Sequence, residues 1–149
     1  MKVLLSNNQN KKKIPIQRLK RKAQIILSAL ECNNSELSIV FVDDEEIQNL
    51  NEKYLNRNRP TNVISFPMQE GEFSGVNPDI LGDVVISVDT AEKEANEIDV
   101  SLEDRLTELL LHGILHLVGY DHENNDEKEA YEMELKNNEI MSIINSQIL

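Results

Sequence analysis

Apolar positions along the chain repeat every two residues in some stretches and every three to four in others. Residues 2–5 form a short apolar run that reads as a first strand, and the polar stretch 6–13 reads as a loop. Pro15 then opens a helix to about residue 31, with Ile16, Leu19, Ala23, Ile26, Leu27 and Leu30 on one stripe. Residues 36–42 alternate and are rich in apolar and β-branched side chains, which predicts a second strand. Asp43 or Asp44 can cap a helix to about Tyr54, with Ile47, Leu50 and Tyr54 turned inward. A polar loop over 55–59 leads to a short strand over 62–66, and Pro60 and Pro67 on its flanks favour a sheet edge. Residues 68–79, with two glycines and a proline, read as loop, and residues 80–88 as an apolar strand broken at Gly82-Asp83.

Three more helices follow. Asp89-Thr90-Ala91-Glu92 has capping-box spacing and starts a helix to about Ile98, and Ser101-Leu102-Glu103-Asp104 starts the next in the same way. Asn125 or Asp126 begins a last helix to about residue 145, with Ala130, Met133, Ile140 and Ile144 inward. Strands and helices alternate early in the chain, so the fold class is α/β or α+β, a small mixed sheet packed against about five helices.

At 149 residues the chain has the length for one domain with a buried core. No run reaches the roughly 18 apolar residues of a membrane span, and the start lacks a signal peptide's apolar region. With a single cysteine, Cys32, there is no disulfide framework, and a reducing cytoplasm is the expected compartment. The net charge of −12 argues against nucleic acid until its distribution is considered. Residues 1–67 carry eleven Lys/Arg against seven Asp/Glu, whereas residues 68–149 carry four against twenty. Asymmetry of this kind points either to a nucleic-acid contact on the basic part or simply to solvated faces.

The candidate chemistry lies in the most apolar helix. All three histidines, His112, His116 and His122, fall in one fourteen-residue stretch, 109–122. His112 and His116 are one turn plus about 40° apart on a helix, so both imidazoles project from one face. Gly119 lets the helix stop and the chain turn, which would bring His122 to the same point. Three imidazoles with a fourth position left to water make the ligand set of a catalytic zinc. The plainer alternative, two core histidines, leaves unpaired imidazoles on a helix that is apolar nearly all round, and burying them would be costly. A closed structural site needs a fourth ligand, for which Asp121 or Glu123 stands nearby. The spacing H-x-x-x-H-x-x-G-x-x-H is that of metzincin proteases, but Gly113 stands where those enzymes carry their general-base glutamate.

The run from His112 to His122, His-Gly-Ile-Leu-His-Leu-Val-Gly-Tyr-Asp-His, resembles the signature of the YbeY family of bacterial rRNA-maturation endoribonucleases. The likeness extends upstream through Arg59-Pro60-Thr61-Asn62-Val63-Ile64-Ser65-Phe66-Pro67 and Leu81-Gly82-Asp83-Val84-Val85-Ile86, covering about residues 50–144. It implies a four-stranded sheet with a metal helix distantly like that of metzincins, in one metal-dependent hydrolase domain spanning residues 1–149. It also implies a zinc-dependent, single-strand-specific endoribonuclease acting in late small-subunit (16S) rRNA 3′-end maturation and ribosome quality control. One Zn2+ per chain would be held by His112, His116 and His122. The implied partners are rRNA and the small ribosomal subunit, with a ribosomal protein and a ribosome-assembly GTPase besides, and no membrane. A zinc peptidase and a non-catalytic ribosome-assembly factor are the alternatives.

No catalytic side chain follows from the residues: zinc-bound water and the RNA's own 2′-OH both remain open as nucleophile. Asp121 is a candidate to hydrogen-bond an imidazole N–H or move a proton, and equally a candidate to stabilise the turn. Arg57 and Arg59 are candidates to grip phosphate. Many relatives read Tyr-Arg where this chain reads Tyr54-Leu55, so either Arg57 or Arg59 reaches the same spot or turnover depends less on that charge. Gly113 is small either to admit a phosphate past the helix or to permit close packing. On the first view, Gly113→Glu would retain zinc and repel the phosphate.

Overall fold

The structure, a computed structural model, describes residues 1–68, 79–120 and 127–147. Among them are four strands, β1 (Lys2–Asn7), β2 (Glu36–Val42), β3 (Val63–Pro67) and β4 (Ile80–Ser87). Five helices accompany them: α1 (Ile16–Ala29), α2 (Asp44–Leu55), α3 (Val88–Ile98), α4 (Leu102–Leu117) and α5 (Glu127–Gln147). The strands form one mixed sheet in the order β1-β2-β4-β3, with β1, β2 and β4 parallel and β3 antiparallel to β4. This is the expected mixed sheet with five helices. β3 pairs with β4 alone, so it holds the edge position that its flanking prolines favour.

The sheet has a core on each face. On one, Leu37, Ile39, Phe41, Val84 and Ile86 pack against α1, α4 and α5. On the other, Val42, Ile64 and Val85 form a smaller cluster with Ile47 of α2. β4 is therefore apolar on both sides, which is why it reads as a near-continuous run. α4 lies over β3 and β4, flanked by α1, α3 and α5, and this explains its apolar circumference.

Three local expectations are corrected. β4 is not broken at Gly82. It carries one extra residue opposite Glu36 and Leu37, and the positive φ of Gly82 (+137°) absorbs that bulge. α3 starts two residues earlier than a cap at Asp89 would place it, at Val88. Its cap is the Ser87 hydroxyl, which accepts from the Thr90 N–H at 3.2 Å, rather than Asp89. The Asp89 carboxylate instead accepts from the backbone N–H of Asp44 at 2.9 Å. Tyr54 is not inward: it is 57% exposed, its ring edge resting on Phe66 with centroids 5.4 Å apart. The start expected for the last helix, at Asn125 or Asp126, lies outside the described residues.

Candidate metal and RNA cleft

α4 begins as its sequence prescribes, with the Ser101 hydroxyl accepting from the Asp104 N–H at 3.0 Å. It ends at Gly119, whose φ of +106° reverses the chain. Gly119 N–H donates to His116 O and Tyr120 N–H to Leu115 O, closing the helix in a Schellman motif. Between these two ends the helix is held rigidly. The Lys22 ammonium, almost wholly buried, donates to Glu103 Oε2 at 2.7 Å and to Thr107 Oγ1 at 3.0 Å, tying α1 to α4. Burial opposes ionisation of Glu103, but hydrogen bonds from Lys22 and Arg18 outweigh it and hold the carboxyl below its usual range.

On this framework His112 and His116, both half-buried, turn their Nε2 atoms toward each other at 3.0 Å, with ring planes 78° apart. Two nitrogens bound to one zinc at about 2.0–2.1 Å and a tetrahedral angle lie roughly 3.3 Å apart. The observed separation is close to that, so the two residues fit a shared cation. His122 and Asp121 lie outside the described residues, as does Glu123.

Both imidazoles line a cleft of about 430 Å³ that runs along β3 to the end of α2. Arg57 and Arg59 line the same cleft, so the arginine loop, far from the histidines in sequence, is brought to them. Neither guanidinium has an ion pair among the described residues, and no acidic residue is among those described lining the cleft. Leu55, 45% exposed, lines it too.

The loop is anchored by a residue that the pattern of the sequence did not single out. Asn51 is buried on α2, and its Nδ2 donates to Arg59 O at 2.9 Å while its own carbonyl accepts from Arg57 N–H at 3.2 Å. Gln48 Nε2 adds a bond to Asn58 Oδ1 at 2.8 Å. The one signal available was an asparagine one turn after the inward Ile47, a polar residue on an apolar stripe.

The basic first helix does not share this cleft. Lys11 pairs with Asp89 at 3.1 Å, Arg18 and Lys22 with Glu103, and no α1 residue lines the cleft. Four cations of the basic part, Lys11, Lys12, Arg18 and Lys22, instead hold α1 and the preceding loop to α3 and α4.

Gly113 also differs from one of its two expected roles. It is buried against the sheet, where an added Cβ would lie 2.7 Å from Val84 Cγ1, 3.2 Å from Ser65 Oγ and 3.3 Å from Val63 Cγ2. Its carbonyl accepts from Ser65 Oγ at 2.9 Å. Close helix–sheet approach, not room for a phosphate, requires glycine here. Gly113→Glu would therefore disturb the packing of α4 on the sheet before any charge effect could be read.

Residues 4–145 match a family model described as Endoribonuclease YbeY. An Endoribonuclease YbeY of Geobacter metallireducens is 54% identical over 144 residues, covering 97% of this chain and 96% of the relative. One from Syntrophus aciditrophicus is 48% identical over 144 residues, covering 97% and 90%. A Thermotoga maritima protein solved in solution shares the fold, with a TM-score of 0.61 at 24% identity over 98% of this chain and 93% of its own. Local motif, full-length match and shared fold agree, and the chain belongs to the YbeY endoribonuclease family.

Proposed function

We propose that this protein is a zinc-dependent endoribonuclease that cuts single-stranded rRNA of the small subunit during late 3′-end maturation, in the cytoplasm. The observation that carries the reading is the pair of Nε2 atoms 3.0 Å apart in a cleft with two arginines and no described carboxylate, on a chain of net charge −12. An acidic body repels a polyanion nearly everywhere, so a cleft with this lining is where RNA would approach.

His112 and His116, with His122 six residues further along the sequence, would hold the metal. Zinc bound there would supply Lewis-acid polarisation of a phosphoryl oxygen and lower the pKa of bound water. The protein's own residues bind and orient. Arg57 and Arg59 neutralise backbone phosphates beside the scissile one, and their loop is pre-set by Asn51 and Gln48. The Ser65–Gly113 bond fixes the β3 wall of the cleft to the helix that carries both imidazoles. The peptidase alternative is disfavoured because Gly113 offers no side-chain base and faces the sheet. No helix among the described residues is long and apolar enough to cross a membrane.

The test is metal content and cleavage of single-stranded RNA measured on one preparation. Wild-type protein should carry one zinc per chain and cut RNA, and His116→Ala should lose both. Full metal occupancy in folded His116→Ala would refute the ligand assignment, and absence of RNA cleavage by zinc-loaded wild type would refute the activity.

A further inference from the structure

His112 and Asn62 wall not one cavity but two. The second, also of about 430 Å³, is otherwise enclosed by α4 and α5, with Arg105, Glu108, Leu109, Asn137 and Met141. Its electrostatics are opposite to those of the arginine cleft. The Arg105 guanidinium is held by two carboxylates, with Nη2 at 3.1 Å from Glu94 Oε1 and Nη1 at 2.8 Å from Glu108 Oε2. One cation against two anions leaves the site with no attraction for phosphate.

What it offers instead is a set of hydrogen-bond donors and acceptors beside two apolar side chains. Asn62 is fixed by Glu94, which accepts from its Nδ2 through both oxygens at 3.2 Å. The Asn137 amide, half-buried on α5, makes no hydrogen bond to any described residue, so its two donors and its acceptor remain available. Leu109 and Met141 supply apolar surface to the same cavity. Five of its seven described lining residues are polar or charged, and a concave site of this size with hydrogen-bonding groups beside an apolar surface suits a small heterocycle.

We infer that this second cavity is a nucleobase subsite. It takes the base on one side of the scissile phosphate while the arginine cleft takes the backbone on the other, with the Asn137 amide reading the base edge. The inference rests on the endoribonuclease reading above and adds a specificity-determining residue to it. Division by charge carries the argument: phosphates follow Arg57 and Arg59, and the uncharged base enters where Glu94 and Glu108 exclude them. His112, common to both walls, stands where the two meet.

The experiment uses the zinc-loaded full chain and single-stranded oligoribonucleotides identical except for the base at one flank of the cleavage position, then at the other. Wild type should spread kcat/KM across the four bases by about ten-fold or more at one flank, the scale of a well-placed amide–base contact. Asn137→Ala and the near-isosteric Asn137→Leu should collapse that spread while zinc content stays at the wild-type value. An undiminished spread in both variants, or a wild type indifferent to the base at both flanks, overturns the subsite alone. A zinc-loaded wild type that cleaves none of the oligonucleotides overturns the endoribonuclease reading itself.

Discussion

Gly113→Ala is the substitution for which a lone helix and the folded protein give opposite signs. In a helix by itself, alanine for glycine gains about 1 kcal/mol. In the folded protein the new Cβ meets Val84 Cγ1 at 2.7 Å, a distance that real Cβ atoms do not tolerate. Val84 is fully buried on an interior strand and β-branched, so it cannot swing aside. Relief must come from α4 lifting off the sheet, an overpacking cost of about 1–3 kcal/mol. Lifting also stretches the 2.9 Å bond from Ser65 Oγ to Gly113 O, worth about 0.5–1.5 kcal/mol. The balance is a net loss of about 2 kcal/mol, or roughly 4–8 °C in Tm for a chain of this size. Thermal unfolding followed by circular dichroism or calorimetry measures it. A double-mutant cycle with Val84→Ala isolates the cause, because removing Cγ1 should recover about 1 kcal/mol or more of the Gly113→Ala loss. An unchanged or raised Tm in Gly113→Ala, or an identical loss in both backgrounds, would refute the close-packing argument.

Further outcomes follow from the same geometry. Arg57→Ala/Arg59→Ala should weaken RNA binding and flatten the slope of log affinity against log salt, with zinc content unchanged. On single strands the slope should fall by about 0.7 for each phosphate that is no longer neutralised. An unaltered slope would move the backbone footprint away from that loop. Glu103 has its carboxyl held below the unfolded value, so its contribution to stability is complete above the unfolded pKa and disappears as pH falls through the folded one. Denaturant titrations from neutral pH down through the carboxylate range should show wild type losing stability faster than Glu103→Gln. Parallel curves would remove the α1–α4 ion pair from the acid response. Asn51→Ala should raise KM for RNA more than it lowers kcat, because the arginine loop is deprived of its anchor while the imidazoles stay in place. Equal kinetics in variant and wild type would separate the loop's order from substrate binding.

Short-range periodicity determined much of this protein without help from the fold. The four-residue step between His112 and His116 puts two imidazoles on one helix face whatever the helix packs against. Ser101 and Gly119 bound that helix by bonds to their own neighbours. Pro60 and Pro67 mark an edge strand for an equally local reason, since proline lacks the N–H that an interior strand must donate. What tertiary structure decided is everything that depends on a partner distant in sequence. The alternation of elements does not contain the order β1-β2-β4-β3, which is a choice among crossovers settled by which apolar faces fill both sides of β4. Lys11, Arg18 and Lys22 read as part of a free basic face until Asp89 and Glu103 are found opposite them. Asn51 is an unremarked polar residue until the chain folds back and presents Arg59 O to it. Gly113 follows His112 in sequence, yet its Cα hydrogen points at Val84, because the rotation of α4 about its axis is set by the sheet beneath it and not by the helix alone.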